Sequence, residues 1–152
     1  MNLQMEINSL KQRIAELEQQ AEQKKEFPQE GDSFYSISET GNIEGGMIWG
    51  GYPVAMNRMA IVNVFKTEDE AEFAVEKLKV EAELRKFSRP FKEGEYNYFI
   101  QIHPSHNNIV TESDDYCQTQ GTIYFESTAI ANEAIDAIGE NRIKKYIFGV
   151  EE

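Results

Sequence analysis

His103, His106, Asp114, Asp115 and Cys117 are the one group of residues close enough in sequence to suggest metal chemistry. A His-x-x-His pair on a loop, with a thiol and carboxylates nearby, offers the donors that zinc takes. The spacing fits no zinc signature with a mechanism behind it, and Pro104 with Asn107-Asn108 reads as a solvated turn between strands. Nucleophilic catalysis finds no better footing, because neither histidine stands near a Ser or Cys motif. Paired carboxylates arise by chance in a chain with 27 Asp and Glu residues against 15 Lys and Arg. The sequence therefore predicts no metal, no cofactor and no catalytic residue. It reads as a protein that binds rather than reacts.

Glycines at 41, 45, 46, 50 and 51 would suit a phosphate loop only between a strand and a helix N-terminus. Hairpin turns are expected there instead. Trp49 and Tyr52 stand beside them; both residue types are enriched at binding hot spots, so the pair reads either as an exposed patch for a protein partner or, for at least one of them, as core packing. Glu68, Asp69, Glu72 and Glu76 give the following helix an acidic face that can imitate a phosphate backbone or simply aid solubility. Two basic islands with interleaved aromatics, residues 85–92 and 142–146, offer the opposite chemistry, stacking on single-stranded nucleic acid. Both fall at helix C-termini, where cations complement the macrodipole. The net charge of −12 disfavours direct nucleic-acid binding.

Three kinds of element must carry these residues. The first is an N-terminal helix, residues 1–26, with a heptad seam of Leu3, Ile7, Leu10, Ile14, Leu17 and Ala21. Taking Ile7 as position a places Ile14 and Ala21 also at a, with the leucines at d, a pattern that favours a parallel two-stranded coil. Glu6 at g faces Lys11 at e of a partner copy, and Arg13 faces Glu18, so both pairs attract in a parallel homodimer. Three heptads are marginal alone. Lys24, Lys25 and Glu26 break the seam before a linker at residues 27–31.

The other elements recur. Phe65-Lys66-Thr67 leads into Ala71, Ala74 and Val75, and Phe125-Glu126-Ser127 leads into Ala131, Ala134 and Ile135. Each copy reads as a strand ending at Phe, an N-cap at Thr67 or Ser127, and an amphipathic helix. Strands are expected at 34–38, 43–52 and 60–65 before a helix at 68–88, then at 97–102, 108–111 and 122–125 before a helix at 128–138 ended by Gly139. A helical turn at 141–148 closes the chain. The fold expected is α+β, a parallel coiled-coil helix followed by two β-β-β-α units, residues 32–92 and 96–152, with antiparallel sheet. On the long helix Ala71, Ala74, Val75, Leu78 and Ala82 are expected to face the sheet. Phe73, Val80, Leu84 and Phe87 form a second apolar stripe, either core or interface.

Composition bounds the setting. The lone Cys117 suits a reducing compartment, no apolar run approaches the ~20 residues of a membrane helix, and no hydrophobic signal region opens the chain. An acidic cytoplasmic protein is expected.

The segments 63–74, 76–79 and 138–150 (Asn63-Val64-Phe65-Lys66-Thr67-Glu68 and Ile138-Gly139-Glu140-Asn141-Arg142 among them) resemble small, uncharacterised accessory proteins encoded by phages and prophages of Gram-positive bacteria. The resemblance covers about residues 31–150, leaves the coil as a variable extension, and carries over no functional residues. It implies an accessory product acting in the cytoplasm of an infected bacterium. On that footing the expected function is binding and inhibition of a host protein, a defence or nucleic-acid-handling effector, in the manner of an anti-CRISPR protein. The alternatives are a nucleic-acid-binding factor of phage replication and a small-ligand binder at the Gly-rich hairpin.

Overall fold

The computed structural model describes residues 2–23 and 26–151. The expected break of the seam at Lys24 and Lys25 lies outside the described residues. The fold is α+β, with α-helices and two small antiparallel sheets, and the chain divides into two compact units, Met1–Glu68 and Asp69–Glu152. The division places the long helix with the second hairpin rather than with the strands that precede it.

In the first unit, α1 spans Leu3–Gln23. Asn2 opens it, its Oδ1 accepting from the Gln4 N–H at 3.2 Å. β1 (Ser33–Ile37) pairs antiparallel with β2 (Ile43–Ile48). Gly45 and Gly46 together oppose Tyr35, a bulge that needs the positive φ of Gly46. A Cβ at Gly45 would come within 2.6 Å of the Tyr35 ring, so the ring lies over bare backbone. The other edge of β1 meets the segment before the long helix. Tyr35 and Phe65 exchange backbone hydrogen bonds of 2.9 and 2.8 Å. One step further, the Asn63 side chain takes over: its Oδ1 accepts from the Ile37 N–H at 2.6 Å, and its Nδ2 donates to the Ile37 carbonyl at 2.8 Å. Phe34 and Ser36 are buried beneath this arrangement.

Two expectations for this unit are corrected. β2 stops at Ile48 rather than running to Tyr52, and residues 60–65 are not a strand. A short helix, α2 (Pro53–Ala60), occupies the space between, followed by a turn in which Val62 has φ of 59°. Pro53 suits the first helical position, where no N–H is needed, and the Met, Ala, Asn and Arg that follow sustain eight residues of helix.

In the second unit, α3 (Glu68–Lys86) precedes β3 (Asn97–His103), which pairs antiparallel with β4 (Asn108–Asp114) from Asn97↔Asp114 to His103↔Asn108. Tyr124 and Phe125 form single bridges, Phe125 with Tyr98 and Tyr124 with Arg89, in place of the strand expected at 122–125. α4 (Thr128–Ile138) starts where predicted, with the Ser127 hydroxyl accepting from the Ile130 N–H at 3.2 Å, and Gly139 at φ 100° separates it from α5 (Glu140–Ile147).

The core joins α3, α4, α5 and the bridge: Val80, Leu84, Phe125, Ala131, Ala134, Ile138 and Ile143 are buried together. The apolar stripe of α3 is therefore largely core, with Phe87 packed on its edge, while Phe73 is half exposed against Tyr146, ring centroids 5.1 Å apart. Ala71 and Val75 are buried as expected, but Leu78 and Ala82 face outward. Below the bridge, buried Asn97 accepts from Arg89 Nη1 (2.7 Å) and the Lys92 N–H (2.8 Å) and donates to the carbonyls of Lys92, Glu95 and Asp114. This satisfies the whole amide where no water reaches.

Phe125 anchors both the bridge and the core, so Phe125→Ala is expected to cost about 3–5 kcal/mol of unfolding free energy. Phe73→Ala, at a half-exposed site, should cost less than about 2 kcal/mol. Urea denaturation of the two variants checks the order, and equal losses would contradict the placement of the core.

Candidate functional site

The candidate metal cluster comes apart. His103 and His106 meet at the β3–β4 tip with Nδ1 atoms 3.1 Å apart. Asp114 stands at the far end of β4, its Oδ1 accepting from the N–H groups of Tyr116 and Cys117 at 2.8 and 2.9 Å. Those bonds hold its carboxyl below the usual value, the Cys117 N–H more than the Tyr116 N–H. Among the described residues no group of three or more His, Cys, Asp or Glu side chains could hold a metal. The spacing misled because the histidines and Asp114 stand at opposite ends of a seven-pair ladder.

The glycines do precede a helix, contrary to the sequence expectation, since α2 begins at Pro53. A proline there removes one of the N–H donors that a phosphate site would use. Trp49 and Tyr52 part company. Trp49 is half buried, its ring edge-on to Phe34 at 6.0 Å, and its backbone is tied to Asp32 and Gly31. Tyr52 is exposed and leads directly into α2, where Val54, Met56 and Met59 are exposed while Ala55 alone is buried. Ile48, Ile61 and Val62 are exposed nearby in sequence. Arg58 ties this helix to β2, with Nη2 3.6 Å from Glu44 and Nη1 2.8 Å from the Met47 sulfur. Sequence reasoning missed α2 and the apolar residues it displays. Pro53 after a Gly-Gly pair was the available signal.

Of the acidic residues expected to contact a partner, Glu68, Asp69 and Glu72 are exposed in the first turns of α3. Glu76 is not free. It lies 2.7 Å from Lys79 and 3.5 Å from Arg142, and these cations, Lys79 first, hold its carboxyl below the usual value. Arg142 is raised in turn, chiefly by hydrogen bonds to Glu83 at 3.0 and 3.1 Å. Several cations of the basic islands are engaged in the same way. Arg85 pairs with Glu81 at 2.8 Å and Lys144 with Glu140 at 3.2 Å. Arg89 is almost covered, donating to the Pro90 and Tyr96 carbonyls as well as Asn97. Its buried Nε, which finds no well-aligned acceptor, faces the Glu126 carboxylate.

The seam of α1 is exposed throughout, Leu3, Ile7, Leu10, Ile14, Leu17 and Ala21 included. No helix is long and apolar enough to cross a membrane among the described residues. No family model, curated protein or solved structure matches this chain.

Glu140 is held below its usual value by the Ile109 N–H first and then by Lys144, so it and Asp114 both favour the charged form in the folded state. A folded pKa below the unfolded one contributes stability above the unfolded value and loses it as pH falls through the folded value. Unfolding free energy should therefore decline as pH drops below about 4, the ordinary range of free carboxyls. Asp114→Asn should flatten that acid limb, as read by denaturation at stepped pH. An unchanged slope would show that Asp114 titrates alike in both states.

Proposed function

We propose that this chain is a homodimeric, non-enzymatic protein-binding module that acts by occupying a partner protein. One observation carries the reading: the heptad seam of α1, a run of apolar side chains, has no cover of its own. Leu3 is 73%, Leu10 63% and Ile14 55% exposed, and a water-facing seam of that regularity gains most by burial against an identical helix. Charge selects a parallel partner, because Glu6 and Arg13 of one copy meet Lys11 and Glu18 of the other.

Contact with the target falls to Tyr52 and the exposed residues of α2, with Trp49 as support behind them. Methionines at such a surface adapt to irregular apolar partners. The exposed Glu68, Asp69 and Glu72 add an acidic element suited to a basic protein surface. The resemblance to phage accessory proteins turns this into a specific reading: a cytoplasmic inhibitor of a host defence or nucleic-acid-handling effector, anti-CRISPR-like in its logic. Direct nucleic-acid binding is the weaker reading, because the arginines it would need are engaged with Glu76, Glu81, Glu83 and Glu126.

The same reading takes the two halves as products of duplication. In each, an antiparallel hairpin is joined by a single Phe–Tyr bridge, Phe65 to Tyr35 and Phe125 to Tyr98, and a helix follows the Phe. A duplicated unit that lost regular pairing in its third strand accounts for both.

Sedimentation equilibrium tests the dimer. The full chain should sediment as a dimer, and Leu10→Glu with Ile14→Glu should shift it to monomer while the melting of the second unit's core is retained. A wild-type monomer, or a variant that stays dimeric, would remove the coil from the proposal.

A further inference from the structure

The hydrogen bonds of β3 stop short on one edge. In an antiparallel strand alternate residues direct both backbone groups to the same side. Tyr98 uses its pair on Phe125, with N···O distances of 3.2 and 2.7 Å. Ile100 and Ile102 share the parity of Tyr98, so their N–H and C=O groups point to the same edge. Continuing that ladder would bring Ile123 opposite Ile100, yet the pairing ends at the single bridge. Among the described residues no hydrogen bond satisfies the backbone groups of Ile100, Ile102 or Ile123 on this edge.

A groove of about 620 Å³ occupies the place where the two segments splay. Its lining comes from both faces of the missing ladder, with Ile100 on one and Phe99 and Gln101 on the other, and with residues 119–123 as the opposite wall. Towards the helices the lining combines apolar Leu84, Ile147 and Phe148 with the charged Lys77 and Glu81 of α3; on the other side Gln101, Asp114 and Thr119 are polar.

The first unit shows what closes such a gap. Ile37 lies two residues beyond the bridging Tyr35, as Ile100 lies two beyond Tyr98. Asn63 lies two before the bridging Phe65, as Ile123 lies two before Phe125. There the Asn63 amide donates to and accepts from Ile37, standing in for a strand. At the matching place in the second unit stands Ile123, which has neither donor nor acceptor in its side chain.

We propose that this gap is a peptide-binding site, taking an extended segment of a partner protein as an added strand on the edge of β3. Backbone pairing with Ile100 and Ile102 supplies the affinity. Side-chain alternation supplies the selectivity: apolar residues of the guest point towards Leu84, Ile147 and Phe148, and polar ones towards Gln101 and Thr119. An apolar small molecule would leave the strand groups unpaired, and a helix presents no backbone donors along its side to meet them. The proposal deepens the protein-binding reading but rests on neither the coil nor α2.

The test is a selection on the full chain from a displayed library of octapeptides alternating apolar and polar residues, counter-selected on Ile123→Asn. The substitution installs at residue 123 the amide that Asn63 supplies in the first unit; because Ile123 also packs against the core, the variant's melting temperature is measured first, to set binding loss apart from unfolding. Selected peptides should bind wild type and lose more than about tenfold in affinity for Ile123→Asn, the worth of one or two hydrogen bonds. Their binding should slow amide exchange at Ile100 and Ile102, and N-methylation at alternate peptide residues should abolish it. The Leu10→Glu, Ile14→Glu chain should bind them equally, which separates this site from the coil. No enrichment over the counter-target, binding without protection at Ile100 and Ile102, or protection that rises with protein concentration in the absence of peptide would each overturn the proposal, the last by showing that a second copy fills the gap.

Discussion

A two-stranded hairpin does not bury enough to be stable by itself, and the described residues contain two of them. Each is rescued by one residue that arrives from far along the sequence and exchanges backbone hydrogen bonds with its first strand, Phe65 with Tyr35 and Phe125 with Tyr98. The second bridge is the one that most depends on burial, since Phe125 has no exposed surface and sits among Val80, Leu84, Ala131 and Ala134. Helices α3, α4 and α5 are thereby gathered over a sheet that is barely a sheet. Alanine at 131 and 134 lets the helix come close where a larger residue would hold it off, and Gly139 turns the chain so that Ile143 re-enters the same core.

Bringing a bridge residue in from a distance buries polar backbone, and the second unit answers that cost with a compact polar cluster. Asn97 uses every donor and acceptor of its amide, and Arg89 lies across the loop that carries it. An Arg can do this and a Lys could not, because the planar fork reaches the Pro90, Tyr96 and Asn97 oxygens at once. The residues that read as a basic island in the sequence are thus part of the scaffold. The same explanation covers Arg142, clamped between Glu76 and Glu83.

Local signals in the sequence were legible where they are strong. The N-terminal helix, the Ser127 cap, the Gly139 stop and both hairpins stand where their residues place them. Residues 60–65 went astray because Ala-Ile-Val-Asn-Val-Phe alternates poorly and is rich in β-branched residues, which a buried strand and an exposed turn can share. What decides between them is Pro53, seven residues earlier, which starts a helix that leaves no room for a full strand. The outward turn of Leu78 was equally hidden, since the 19-residue α3 carries apolar residues on more than one side. The candidate site fared unevenly for a related reason. Tyr52 and the first acids of α3 are exposed as expected, but Trp49 leans on Phe34, and Glu76 is held by Lys79 one turn on and by Arg142, distant in sequence. Spacing reveals which residues share a face and not which partner reaches that face first.

Charge follows from these internal commitments. Arg58, Lys79, Arg85, Arg89, Arg142 and Lys144 all lie against carboxylates of the same chain. Among the described residues no cation lies within ion-pairing distance of Glu68, Asp69 or Glu72. Much of the excess that makes the net charge −12 is therefore displayed outward, while these six cations are engaged within the chain. In the proposed function, a net negative surface of this kind acts over a Debye length of about 10 Å to disfavour nucleic acid and favour encounter with basic proteins. On the proposed reading, apolar residues of α1 and α2 exposed against such a field divide the work: the field selects which macromolecule approaches, and the uncovered side chains hold the one that does.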